Sequence, residues 1–376
     1  MKVKPDRRTP KHARIFAALR RDLDNGRLIA GAKLPSEAQL AQRFGVSRIT
    51  AIRAVRDLQA LGLVERRPGA GTFVRRTSSG SGYSFGLLVP DLIDTEIFEP
   101  LCQGIVSSPQ ARDHQLLWGH STAERVSDEA VLDACRHYIE QKVDGVFFAP
   151  LISSDDAASV NRKVLGALDG AGIPVVLLDR TALPYPQAPE HDLVGIDNRR
   201  AGYRVTEHLI EIGSRRIGFI AGRRHVSTTD ARVAGYREAL LSFDLPFEPC
   251  MLLRSDSFGT TELREYLQLA RPDAIVCVND RTAGAVLHAL KKLNIEVPSM
   301  IRVVGIDDVP YAALLPVPLT TLRQPAKAIG DVAMTVMLDR IARPSLPARE
   351  TRLACALIVR ESCGAGARLA GKSTSE

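Results

Sequence analysis

No apolar run in the 376-residue chain approaches the ~20 residues needed to span a bilayer. Its amino terminus is charged with no apolar stretch behind it, which predicts no signal peptide. The six cysteines (Cys102, Cys135, Cys250, Cys277, Cys355, Cys363) lack metal-ligand spacing, and several sit inside apolar runs. Buried thiols in a reducing cytoplasm are the expected reading. No hydrolase nucleophile elbow, phosphate-cradling loop or H-E-x-x-H zinc helix is expected either. These absences predict a cytoplasmic protein with no metal site, no cofactor and no catalytic residues. A hydrophobic content of 45% over this length is enough for two or three domains with real cores.

What is present is unevenly charged. Met1 to Arg76 holds 18 Lys and Arg against 6 Asp and Glu, whereas the rest of the chain holds 32 against 37. One basic lobe on a slightly acidic body is the electrostatic footprint of a nucleic-acid module joined to a non-binding partner domain.

Within the basic lobe, Leu34 to Val74 reads as two helices, a tight turn and a short hairpin. Ser36 and Gln39 form a capping box for the first helix, and Gly45 stops it. Ser47 caps a second helix running to about Leu61. Ala51, Ala54, Val55, Leu58 and Leu61 gather on one side of it, while Arg48, Ile49, Ile52, Arg53 and Arg56 occupy the other. Arginines and isoleucines facing outward suit a DNA major groove, where arginine reads guanine or phosphate and an apolar side chain meets a thymine methyl. Both isoleucines are therefore expected to be exposed. Leu63-Val64 and Thr72-Phe73-Val74 flank the loop Glu65 to Gly71, which carries Arg66 and Arg67. These parts, in this order, predict a winged helix-turn-helix; the bland alternative is a helical hairpin with a solvated basic face. The residues expected to meet DNA are Ser36, Arg43, Ser47, Arg48, Ile49, Thr50, Ile52, Arg53, Arg56, Arg66, Arg67 and Gly71. Ahead of them, Pro10 to Asn25 reads as a further helix. Lys4, Arg7, Arg8 and Lys11 fit an arm toward phosphates and a solvated tail equally well.

LPSEAQLAQRFGVSRITAIRAV followed by LGLVERRPGAGTFV resembles the amino-terminal domain of GntR-family regulators. Two departures stand out: that family often has arginine where this chain has Ala38 and Ile52.

From Tyr83 the texture becomes apolar runs alternating with helical segments. Strands are expected at Ser84, Gln115, Val143, Ile173, Leu193, Arg216, Cys250, Ala274 and Ile301, with helices such as Asp128 to Lys142 and Arg199 to Ile212 between them. Nearly continuous apolar strands argue for parallel sheets covered on both faces, here an α/β body of two lobes. Ligands of such sheets bind beyond the strands' carboxyl ends. Asp91, Asp94, Asp179-Arg180, Asp197-Asn198, Asn279-Asp280 and Asp307-Asp308 all fall there, with Arg232 on a nearby helix and Phe98 or Trp118 as an apolar wall. Carboxylates and amides so gathered suit a hydroxyl-rich ligand, although each alone could equally cap a helix.

The segments VDGVFFAP, GIPVVLLDR, VGIDNRRAGYRVTEHLIEIGSRRIGFIAG, DARVAGYREAL, AIVCVND and IRVVGIDDVPYAALLPVPLTTLRQP resemble the effector-binding domain of LacI/GalR regulators, which look like periplasmic sugar-binding proteins. By that resemblance Asp179, Arg232, Asn279 and Asp307 would bind effector, with Phe98 stacking on it. Three segments would cross between the lobes, the second near Leu183 to Asp192, with a return near Leu322. Pro109, where the family continues its first helix, is expected to shorten or kink that helix.

A GntR-type head on a LacI-type body is the arrangement of arabinose-responsive repressors. The resulting domain expectation is a winged helix-turn-helix over 1–76, a linker over 77–82, a two-lobed effector-binding and dimerisation domain over 83–363, and a tail over 364–376. The functional expectation is a homodimeric repressor on a palindromic double-stranded operator, controlled by a sugar or similar polar effector, with no membrane partner. Its rivals are a constitutive DNA-binding protein whose body only dimerises, and a sugar-modifying enzyme on the same scaffold.

Overall fold

The computed structural model describes residues 32–60, 64–67, 71–74, 82–90, 96–118, 127–152, 156–182 and 190–365, together with His12, Ile15, Phe16, Ala18, Leu19 and Asp22. Asp91, Asp94, the basic arm, most of the linker and residues 366–376 lie outside that description.

In the head, α1 (Glu37–Phe44) begins at the expected capping box. The Gln39 amide donates to Ser36 Oγ at 3.3 Å, and the Ser36 amide donates to Gln39 Oε1 at 2.8 Å. Two amides that the helix leaves without partners are thereby satisfied. Gly45 ends the helix at φ 63°, and a Cβ there would meet nothing within 4 Å. Conformation rather than space selects glycine at that position. The second helix, α2 (Arg48–Ala60), starts where the Thr50 amide donates to Ser47 Oγ at 3.3 Å. Its Ala51, Ala54, Val55 and Leu58 pack with Ile15, Leu19, Leu34, Leu40 and Val64 in one core. Burying each of the larger aliphatic side chains contributes about 1.5–3 kcal/mol. Strands β1 (Val64–Arg67) and β2 (Gly71–Val74) pair antiparallel, and Leu34 donates its amide to the Thr72 carbonyl at 2.7 Å. That contact ties the hairpin to the segment entering α1.

Ile52 departs from expectation. It is half-buried, whereas Ile49 is 79% exposed. At 100° per residue Ile52 lies only about 60° from Val55, so the core edge covers part of it.

The body runs in chain order from β3 (Ser84–Leu88) through α3 (Phe98–Ser107), β4 (Gln115–Trp118), α4 (Asp128–Glu140) and β5 (Gly145–Phe148). It continues with α5 (Ala157–Gly170), β6 (Val175–Leu178), β7 (Asp192–Ile196), α6 (Asn198–Glu211), β8 (Ile217–Ala221) and α7 (Ser227–Ser242). Then come β9 (Leu252–Arg254), α8 (Thr260–Ala270), β10 (Ala274–Cys277), α9 (Asp280–Lys292) and β11 (Arg302–Asp307). The chain closes with β12 (Thr320–Arg323), α10 (Ala326–Ala342), β13 (Glu350–Leu353) and β14 (Ala356–Ile358). Two six-stranded sheets result, ordered β13-β7-β6-β5-β3-β4 and β14-β12-β11-β10-β8-β9. Neighbours from β8 to β12 pair parallel, and β14 alone runs antiparallel, to β12.

Each sheet belongs to one lobe, and the crossings fall where the chain changes sheet. The expected crossover at Leu183 to Asp192 is corrected by this topology. Residues 183–189 lie outside the description, but β7 stays in the first sheet, paired with β6 and β13. Buried Asp192 holds it there by accepting from Arg340 Nε at 2.8 Å and from the Arg349 amide at 2.9 Å. The chain first changes sheet at Asp197, returns through Gln324-Pro325, and crosses again between Leu353 and Ala356. Pro109 acts as expected: α3 stops at Ser107 and a short 3-10 turn, Pro109–Ala111, follows.

Candidate DNA-reading face and effector cleft

The head presents Arg48, Ile49, Arg53 and Arg56 to solvent from α2. Ser36 and Ser47 are exposed, but their hydroxyls already cap helices, and Thr50 Oγ1 lies 2.8 Å from Ser47 Oγ. Arg43 leans over the Phe44 ring at 5.3 Å and pairs with Asp22 at 3.6 Å. Arg66 stands on β1 with its guanidinium 4.0 Å from Glu37, an exposed contact worth little in water. Gly71 opens β2 at φ 119°, a region where side-chain-bearing residues are strained. The Arg67 side chain lies outside the description.

In the body, the polar groups of the two lobes meet beyond the strand ends. Asp179 follows β6 at φ 67° and Asp307 ends β11 at φ 131°. Left-handed backbone at non-glycine residues is strain of the kind that clusters at ligand sites. Two helices position Arg232. Gly202 on α6 and Gly235 on α7 let the helices approach so closely that an added Cβ would lie 2.0 and 1.8 Å from the Arg232 and Arg199 carbonyl oxygens. That crossing brings Arg232 Nε to Asn198 Oδ1 at 2.8 Å. Arg232 also donates from Nη1 to the Val278 carbonyl at 2.6 Å, and Nη2 lies 3.6 Å from Asp307 Oδ1.

Burial pushes the Asp307 carboxyl up to about 7, with Arg232 opposing the shift. Asp280 is likewise raised by burial, to about 6, while accepting from Thr321 Oγ1 at 2.6 Å. From the other lobe, Asp179 Oδ2 accepts from Arg180 Nε at 3.1 Å, and the Arg180 guanidinium lies 5.0 Å from the centroid of buried Phe98. Tyr311 donates across the lobes to Glu96 at 3.1 Å. A groove of about 320 Å³ beside these groups is lined by Glu96, Ile97, Pro100, Asp307, Arg323 and Gln324 among others. Three buried polar atoms in the cluster lack any partner: Asp179 Oδ1, Arg180 Nη1 and Gln324 Oε1. Burying such groups unpaired is costly, and a ligand with hydroxyls would satisfy both acceptors and the donor.

Comparison with known proteins likewise divides the chain into two matched parts. Residues 11–74 match the bacterial regulatory proteins of the gntR family, and residues 206–363 match the periplasmic binding protein-like domain. The chain joins a gntR-type helix-turn-helix domain to a periplasmic-binding-protein-like domain. It is 26% identical over 350 residues to the arabinose metabolism transcriptional repressor of Geobacillus stearothermophilus, covering 90% of this chain and 93% of that one. It is also 26% identical over 323 residues to the HTH-type transcriptional repressor CytR of Escherichia coli (strain K12), covering 84% and 88%. Among solved structures, the transcriptional regulator CelR–cellobiose complex aligns at a TM-score of 0.65 and 26% identity, over 88% of this chain and 100% of that chain.

In the periplasmic-binding-protein-like body, Phe98, Asp179, Arg232 and Asp307 all lie in or against the buried cluster. Asn279 adjoins it half-buried, with its side-chain oxygen capping α9 through the Thr282 amide at 2.9 Å. Trp118 ends an edge strand and is 43% exposed, so it forms no buried wall. Asp197 caps α6, and Asp308 is taken up by Arg323 and Arg360, each at 2.6 Å. Sequence reasoning placed Arg180 among the strand-end polar residues without giving it a ligand role, and it missed Gln324 altogether. Arg180 had a signal, its place beside Asp179 at a strand end; Gln324 follows a strand with no apolar run to mark it.

The expectation of no nucleophile elbow or phosphate loop passed over two strings that match those patterns. Gly82 to Gly86 reads G-x-S-x-G, and Gly366 to Ser373 reads G-x-x-x-x-G-K-S. The first leads into β3, with Ser84 in the strand rather than on a strand-to-helix turn. The second lies outside the described residues, and a 3-10 turn, Glu361–Cys363, precedes it instead of the strand a phosphate loop needs. Among the described residues no group of three His, Cys, Asp or Glu could hold a metal, and no helix is long and apolar enough to cross a membrane.

Proposed function

We propose that this chain is a cytoplasmic, ligand-controlled transcriptional repressor rather than an enzyme. The winged head reads a palindromic operator as one half of a homodimer, through Arg48, Ile49, Arg53 and Arg56 with support from the hairpin. The cleft takes a small hydroxyl-rich effector, a sugar or sugar derivative, held by Asp179, Arg232, Asn279 and Asp307, with Arg180 and Gln324 added to the set. Phe98 acts from beneath Arg180 rather than by offering a bare ring. The relatives named as repressors and the cellobiose complex of CelR support this reading. The observation that carries it is the set of unpartnered buried atoms on Asp179, Arg180 and Gln324, which a regulator whose body only dimerises has no need of.

The test is a melting-temperature screen of the full chain against neutral mono- and disaccharides, sugar phosphates and nucleosides. Binding to the native state alone stabilises by RT ln(1 + [L]/Kd), about 2.7 kcal/mol at ~100 Kd. At least one sugar should raise Tm by several degrees. A flat profile across all three classes would leave the constitutive reading standing.

A further inference from the structure

Ile49 is the one large apolar side chain in the head that stands exposed among the described residues, at 79%. It lies in the first turn of α2, whose cap at Ser47 fixes the helix start, so the side chain projects from the helix end. Arg53 is one turn further on the same side, with Arg48 adjacent, and both are exposed. A solvated isoleucine between two arginines gains nothing for folding, since the core formed by Ala51, Ala54, Val55 and Leu58 lies on another side of the helix. Electrostatics select its occupant. The cationic surroundings reject a basic partner and attract a polyanion, and the apolar surface a DNA major groove offers is the thymine 5-methyl group.

We propose that Ile49 is a specificity-determining residue that reads a thymine methyl in the operator half-site, with Arg48 or Arg53 reading a neighbouring guanine. Half-buried Ile52 already has part of its surface against the core edge and contributes less. The inference rests on the DNA-binding reading above and adds a base identity to it.

The experiment is selection of binding sites from random duplexes with the full chain, followed by replacement of each selected thymine by deoxyuridine, which removes only the methyl. One uracil should weaken wild-type binding about fourfold, the equivalent of the ~0.8 kcal/mol of a buried methyl-sized group. Ile49→Ala should bind the thymine and uracil duplexes equally while keeping the guanine preference. Because Ile49 is exposed, the variant should also melt with the wild type, which separates reading from folding. Uracil duplexes bound as tightly as thymine ones, or an Ile49→Ala protein with the wild-type uracil penalty, would overturn the assignment. Failure to enrich any motif would instead remove the DNA-binding reading itself, and the assignment with it.

Discussion

Asp307 carries the conflict between folding and binding most plainly. Its carboxyl is buried, raised to about 7, and served by Gln324 Nε2 at 2.7 Å and by Arg232. A carboxyl whose folded pKa exceeds its unfolded value binds more protons when folded, between about pH 4 and pH 7. Its contribution to stability is therefore present at low pH and lost as pH rises through 7. Each pKa unit corresponds to about 1.4 kcal/mol. Asp280, raised to about 6, adds a slope of the same sign at lower pH. Asp307→Asn should flatten the fall in stability between pH 5 and pH 8 by on the order of 2 kcal/mol, measured by denaturant titration at both pH values. On the proposed function, the same variant should also lose its sugar-induced thermal shift, since the Asp307 carboxyl would no longer be there to bond ligand hydroxyls. An unchanged pH slope would mean that Arg232 already stabilises the ionised form enough to offset burial.

At the scale of elements, the α6–α7 crossing decides whether Arg232 reaches the cleft. Gly235→Ala places a methyl where only 1.8 Å separates the new Cβ from the Arg199 carbonyl oxygen. Overpacking of this kind costs about 1–3 kcal/mol. The variant should melt several degrees lower and lose sugar affinity more than its stability loss explains; wild-type sugar affinity would show that Arg232 is positioned by its own hydrogen bonds alone.

Much of this architecture was legible in the sequence. The capping box at Ser36 and Gln39, the stop at Gly45 and the shortened α3 before Pro109 all rest on local chemistry, which sequence displays directly. The nine strands marked by apolar runs were legible for the same reason. The strands β12 and β13 were not, since TTLR and ETRL are short and carry no continuous apolar stretch; β14 was passed over although it lies in the apolar run Leu353 to Val359. They lie toward one edge of each sheet, where pairing depends on the crossings between lobes. In the cleft, Asp179 and Asp307 were visible as polar residues at strand ends. The partner Arg180 finds in Phe98 and the one Gln324 finds in Asp307 come from residues 82 and 17 positions away. Such contacts are set by the fold and leave no periodicity to read. Ile52 was misplaced for a simpler reason: its angular distance from Val55 is small enough for partial cover.

At the scale of the whole molecule, the charge division assigns the work. The first 76 residues carry the excess of Lys and Arg, and the body carries the cleft and a slight acidic excess. That division favours a polyanion at the head, and on the proposed function it leaves the cleft for the small polar effector. The central claim is that the two sites are thermodynamically coupled. It is tested most directly by titrating the full chain onto its selected operator with and without a saturating concentration of a sugar that raises its Tm, using fluorescence anisotropy. The predicted result is a change of about 5–150-fold in operator affinity, matched by the same factor in sugar affinity when operator is present, because such coupling is reciprocal. Equal operator affinity with and without the bound sugar would contradict the account.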